Sequence, residues 1–332
     1  MRRTILMGDP RFFSVRGGAN PHTRNALGLK KRVNPDLARR QWHAMARALL
    51  SHGAEVLVIE PHELLPGLVY PANAGFLFPL EGESADRKVF LLANLLPSRA
   101  PEREVYRDFI RSIGFSTIDL EGRFEGEADF FPAGPYMIFT HGRIERQRFI
   151  LRLGIPPWKR VYGFRSDVRS LAELERIAAN KKILSIELCL EAFYHGDTVL
   201  CSFGPHREHL ITYMAGLTIE SRERLRDAFG ANMLELDDAD AALYAANSFQ
   251  LAQEGEYLLF MPQGISEKLR HQILERGVHP ILIDVSEFLA KGGGSIKCMI
   301  LDLGPASEQP ASAEAASFRA LRAYDQLFKG DL

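Results

Sequence analysis

The feature that most constrains the fold is an alternation of short apolar runs with amphipathic stretches, repeated along 332 residues with no linker between repeats. Apolar runs of strand length occupy residues 55–60, 88–93, 136–139, 198–202 and 257–260, each bounded by Gly, Pro, Asp or Asn. Stretches with apolar residues at three- and four-residue spacing cover 36–51, 102–113, 171–179, 221–229 and 266–276. The first of these opens on Asn34-Pro35 and closes on His52-Gly53, a helix start and stop signal. Further strand-like runs fall at 117–120, 161–164, 233–236 and 279–284. The unit is strand, helix, strand, recurring about five times at a period of roughly 60 residues with negligible identity between units.

Such a chain closes most simply as a ring of five α/β units around one central site, a single domain over residues 1–304. A doubly wound sheet is the alternative, weakened because no G-x-G-x-x-G follows the first strand. Residues 305–315, rich in Ala, Ser, Glu and Pro, read as a candidate for disorder. A short terminal helix over 316–328 follows, so 305–332 forms a C-terminal tail.

A net charge of -1 gives no electrostatic reason for a nucleic-acid or anionic-membrane partner. The arginines of 143–152 are interrupted by glutamate and read as a solvated face. No stretch approaches the roughly 20 apolar residues of a membrane span, and the first residues lack a signal-peptide core. Three cysteines are too few for a disulfide framework, so a reducing cytoplasm is the expected compartment. Neither Cys nor His shows metal-ligand spacing; no metal and no cofactor is expected.

Chemistry-bearing residues fall in separate segments. Cys298 ends Lys291-Gly-Gly-Gly-Ser-Ile-Lys-Cys298, where glycines permit close backbone approach and Lys297 favours the thiolate. Cys189 and Cys201 lie in apolar surroundings and read as core residues. In Tyr194-His195-Gly-Asp197, an extended backbone points His195 and Asp197 to one face, placing an acid/base beside a carboxylate. Phe124-Glu125-Gly-Glu127-Ala-Asp129 offers three carboxylates.

The order Glu…His-x-Asp…Cys resembles the pentein superfamily of guanidino-group-modifying enzymes, from Asn20 to Leu303. The resemblance implies a five-bladed α/β propeller whose catalytic groups come from different blades, and a small guanidino compound as the partner. It implies Cys298 as nucleophile, His195 as general acid/base, and Glu125 as the catalytic carboxylate, with Glu127 the second choice and Asp129 then structural. Asp197 and Glu125 would hold the guanidinium opposite the sulfur. Many relatives carry an Asp where this chain has Gly67, after Pro66, and another where it has Asn73. Penteins with Asn at the places of Asn20 and Asn73 do occur, as in some arginine dihydrolases of cyanobacterial type. Arg165 resembles an arginine that clamps a substrate carboxylate, and Asn247 would line the pocket.

The expected reaction is cysteine-dependent hydrolysis of a guanidino C–N bond through a covalent thiouronium. Transfer of the amidino group to an amine, or a non-catalytic binding role on the same ring, are the alternatives. The sequence does not set the oligomeric state.

Overall fold

The computed structural model describes residues 2–330 apart from 17, 19, 26, 151–158 and 254. The arginine-containing run 143–152 therefore ends outside the described residues.

Five three-stranded sheets repeat one plan. In each, a central strand pairs antiparallel with a short inner strand and parallel with an outer strand reached through a helix. The second unit shows it plainly: Gly75–Phe78 is inner, Val89–Leu92 central and Ser116–Asp119 outer, with helix Glu102–Ser112 as the crossover. Phe130–Ala133, Tyr136–His141 and Lys182–Glu187 form the third. Leu200–Phe203, His209–Thr212 and Met233–Glu235 form the fourth. Phe249–Gln253, Glu256–Pro262 and Val278–Ile283 form the fifth. The first unit is completed by the end of the chain: Leu301–Pro305 is the inner strand beside Arg3–Gly8, which pairs parallel with Glu55–Ile59. This last-to-first pairing closes the five-unit α/β propeller expected from the sequence.

The unit is therefore strand, strand, helix, strand, with an inner strand that the apolar pattern largely concealed. Residues 198–202, read as the leading strand of their unit, are its inner strand, and the central one is His209–Thr212. Residues 161–164 are not the strand paired with helix Leu171–Ile177. That strand is Lys182–Glu187, in parallel register with Tyr136–His141, whereas Lys159–Val161 pairs antiparallel with Arg148–Ile150.

Local chemistry explains the helices. In Pro35–Ser51 the Asn34 side chain accepts from Leu37 N at 3.1 Å, and Pro35 occupies the first turn. Ala38, Trp42, Met45 and Leu49 fall on one buried stripe, each large side chain contributing ~1.5–3 kcal/mol by leaving water. Gly53 ends the helix at φ 82°.

The segment 305–315 is ordered rather than disordered. Ser312 caps helix Ala313–Arg322, and Gln309 Nε2 donates to Leu303 O at 2.7 Å. Tyr324, fully buried, shares a 2.7 Å hydrogen bond with His43 of the first helix. Its aromatic anchor overrides a composition that would not fold alone. Among the described residues, no helix is long and apolar enough to cross a membrane.

Candidate active site

In every unit the central strand runs antiparallel to its inner strand. The loop leaving a central strand thus lies at the same end of the ring as the turn entering an inner strand. These two sets of segments build one cavity of about 380 Å³.

The turns before the inner strands carry Asn73, Glu125, His195, Asn247 and Cys298, one from each unit. The loops after the central strands of the first three units carry Asn20, Arg99 and Arg165. Asn20, Asn73, Arg99, Glu125, Arg165, His195 and Cys298 all line the cavity. Asp197 and Asn247 do not: they lie behind Cys298, Asp197 facing a smaller inner chamber.

His195 Nε2 donates to Glu125 Oε2 at 2.8 Å, and Asn73 Nδ2 stands 3.5 Å from the same nitrogen. Glu125 Oε1 also accepts from Leu96 N at 3.2 Å. Burial pushes the Glu125 carboxyl upward, but the His195 hydrogen bond and the charges of His195, Arg165 and Arg99 prevail, bringing it down to about 2.

Cys298 Sγ donates to Asp197 Oδ2 at 3.4 Å, so Asp197 sits beside the sulfur rather than opposite it. Asn247 Nδ2 donates to Sγ at 3.2 Å, while its Oδ1 accepts from Cys298 N and Ser295 N, each at 3.1 Å. One amide side chain thus fixes both the backbone and the sulfur of the cysteine turn. Burial, then Asp197, pushes the Cys298 thiol well above its usual range. Lys297 does not counter this as its sequence position suggests. Its ammonium reaches away to Glu127 and donates to Ile300 O at 3.0 Å.

The carboxylates of the 124–129 segment separate by geometry. Glu125 faces the cavity, whereas Glu127 pairs with Lys297 and accepts from Asp302 N. Asp129 accepts from Thr140 Oγ1 and Ser166 Oγ at 2.6 Å and from Gly196 N at 2.9 Å, tying the third unit to the fourth.

The glycine turn is shaped by packing. A Cβ on Gly292 would meet Tyr70 Oη at 1.9 Å, and one on Gly294 the Tyr70 ring at 2.5 Å. Asn20 Nδ2 donates to Gly292 O at 2.8 Å and to Tyr194 Oη at 3.1 Å, so it secures that turn. The Arg165 guanidinium lies 4.8 Å from the centre of the Tyr194 ring.

Arg99 escaped the sequence reading. Its Nη1 donates to Asn73 Oδ1 at 2.7 Å, its Nη2 to Gly67 O at 2.9 Å, and it forks onto Glu102. A Cβ on Gly67 would fall 2.2 Å from Glu102 Oε1, so a side chain there would require the Arg99–Glu102 pair to shift. An arginine three residues before an acidic helix start was the available signal.

The profile of the family "N,N dimethylarginine dimethylhydrolase, eukaryotic" matches residues 171–304. An N(G),N(G)-dimethylarginine dimethylaminohydrolase of Mycobacterium tuberculosis is 27% identical over 306 residues, 91% of this chain and 86% of that protein. The bifunctional arginine dihydrolase/ornithine cyclodeaminase AgrE of Nostoc sp. is 27% identical over 302 residues, 90% of this chain but only 38% of that longer protein. Among solved structures, the substrate-bound N-terminal domain of the cyanobacterial arginine dihydrolase ArgZ superposes with a TM-score of 0.75 at 20% identity, covering 91% of this chain and 98% of that one. A dimethylarginine dimethylaminohydrolase carrying an S-methyl-L-thiocitrulline adduct gives a TM-score of 0.63 at 18% identity, with 91% and 100% covered.

The architecture is the pentein fold. Its sequence relatives include a dimethylarginine dimethylaminohydrolase and a bifunctional arginine dihydrolase/ornithine cyclodeaminase.

Proposed function

We propose that this protein is a cysteine-dependent hydrolase that cleaves a guanidino C–N bond of a free arginine-type amino acid through a covalent thiouronium. The observation that carries the reading is the polarity of one cavity: Glu125, His195 and Cys298 share it with the cations Arg99 and Arg165. A substrate with a guanidinium at one end and a carboxylate at the other matches both sets.

The cation supplies what the resting site lacks. Asp197 and burial hold Cys298 as a thiol; a guanidinium in the cavity beside Glu125, on the other side of the sulfur from Asp197, offsets that field and favours the thiolate. His195 then takes the thiol proton. Sulfur attacks the central guanidino carbon, and the tetrahedral adduct collapses as His195 returns the proton to the departing nitrogen. Water next attacks the thiouronium carbon, giving a proton to His195. The C–S bond breaks, the thiol regains its proton, and a ureido product forms. Glu125 keeps the imidazole placed for both transfers.

The pairing of Asn20, which holds the glycine turn, with Asn73 beside His195 resembles the dihydrolase-type branch and supports it, with the ureido product hydrolysed again.

The test is mass spectrometry of the products formed from arginine, methylated arginines, agmatine and citrulline. Citrulline or ornithine should appear from arginine with the wild-type protein and not with Cys298→Ser. No product from any guanidino compound, by folded wild-type protein, removes the proposal.

A further inference from the structure

The ring has a second mouth. Opposite the cavity that holds Cys298, the hairpins joining inner to central strands converge on a cavity of about 580 Å³. Pro79 to Glu81, Gly134 and Pro135, and Pro205 to Arg207 contribute three of these turns, with Arg3 and Pro305 from the closure of the first unit. The inner chamber of about 50 Å³, lined by Asp197, Glu127 and Arg207, separates the two mouths.

Arg207 is the unusual group there. Its backbone is left-handed, φ 54°, which a side-chain-bearing residue adopts only under constraint. Two hydrogen bonds impose it: Arg207 N donates to Gly204 O at 3.0 Å, and Gly134 N donates to Arg207 O at 2.8 Å. The side chain is 20% exposed, and its nearest carboxylates, Glu81 and Asp302, are each 3.9 Å away, beyond hydrogen-bond reach.

Both carboxylates are already engaged. Arg3 Nε holds Asp302 Oδ1 at 2.7 Å, Gly304 N donates to the same oxygen at 2.9 Å, and Arg3 Nη2 meets Glu81 at 2.6 Å. Burial, then repulsion from Arg3, lowers the Arg207 pKa, as expected for a cation short of partners. Lys181 adds further positive potential at the rim. Around this cationic floor stand Phe78, Tyr136, Met137 and Tyr257.

We infer that this second mouth is a ligand site for a small carboxylate carried on an apolar, ring-sized body, its carboxylate forked onto Arg207. A planar carboxylate supplies the two acceptors that a guanidinium orients, and the aromatic wall takes the apolar body. The site stands independently of the reaction at Cys298.

Calorimetric titration of the full-length protein with benzoate tests it, with neutral benzamide as the isosteric control. Benzoate should bind one to one and benzamide should not. Arg207→Gln should weaken benzoate at least ~10-fold, and Arg207→Lys less, because the charge persists while the fork is lost. Glu81→Gln, at a half-exposed position that competes for the same cations, should tighten binding several-fold. Arg99→Gln, in the front cavity, should leave it unchanged. The inference is overturned if wild-type protein binds no benzoate up to ~20 mM. It is equally overturned if Arg99→Gln rather than Arg207→Gln abolishes binding, which would place the ligand in the front cavity. Should Arg207→Gln unfold, as thermal denaturation reports, Glu81→Gln decides the matter by its sign.

Discussion

Glu125 Oε2 and His195 Nε2 lie 2.8 Å apart although they come from different units, seventy residues distant in the chain. Both stand at the same place in their units: Phe124-Glu-Gly-Glu and Tyr194-His-Gly-Asp each enter a 3-10 turn two residues before an inner strand or its first bridge. Glu125 is thus the counterpart of His195, and Glu127 that of Asp197.

That equivalence separates the two glutamates by experiment. Glu125→Gln should lower kcat by roughly 10²–10⁴-fold, since the proton-transferring imidazole loses its charged partner. Glu127→Gln should retain most turnover and instead lower the melting temperature, because it leaves the part-buried Lys297 without its ion pair. Steady-state kinetics and thermal denaturation of both variants check this.

The Glu125 carboxyl also fixes a pH dependence. Its folded pKa of about 2 lies below the ordinary 4.5, so its contribution to stability is complete above 4.5 and is lost as pH falls towards 2. Between those limits, the stability of Glu125→Gln should vary less with pH than that of wild type, as urea unfolding across the window would show. An equal slope in both proteins contradicts the assignment.

Asn247 acts on the nucleophile without reaching the cavity. Its amide spans Cys298 N, Cys298 Sγ, Ser295 N and Asp197 O, so Asn247→Ala frees the turn and strips a donor from the sulfur. kcat should fall by about 10²-fold with KM little changed, because the groups facing substrate remain. Iodoacetamide should also alkylate Cys298 more slowly at a fixed pH. A rise in KM at constant kcat would instead make Asn247 a substrate contact.

The sequence exposed the long periodic elements and concealed the short buried ones. Helices Pro35–Ser51 and Glu102–Ser112 carry one apolar stripe with end signals, and were readable to within a residue or two. Inner strands such as Gly75–Phe78 are four residues long and buried on both faces, so they show neither alternation nor helical spacing. Cys298, His195 and Glu125 were legible as motif residues. Lys297 was misread because adjacency in a 3-10 turn says nothing about where a long side chain goes, and here Glu127 draws it off. Arg99 lies in a proline-flanked loop whose partners, Gly67, Asn73 and Glu102, only the fold assembles.

Arg99 and Arg165 yield a prediction about substrate choice. If they receive the amino-acid carboxylate, Arg165→Gln should reduce kcat/KM for arginine by roughly 10–10³-fold. It should scarcely affect agmatine, which has no carboxylate and starts as the poorer substrate. Equal losses on both compounds would show that Arg165 supports the site through Tyr194 rather than through substrate.

Asp197 gives the sharpest test, because one substitution should move three quantities in different directions. Burial pushes its carboxyl up to about 6 from 3.8, so the folded protein disfavours the charged form. The stability cost is absent below 3.8 and grows as pH rises through 6. Asp197→Asn should therefore be as stable as wild type in acid and more stable near pH 8. The same charge raises the Cys298 thiol, so its removal should bring the thiol pKa down and speed alkylation in the absence of substrate. Turnover should nevertheless collapse, because the guanidinium loses a carboxylate next to the attacking sulfur. Thermal melts against pH, the pH profile of iodoacetamide labelling and steady-state kinetics read the three effects separately. A variant with unchanged labelling and full turnover would remove Asp197 from the site.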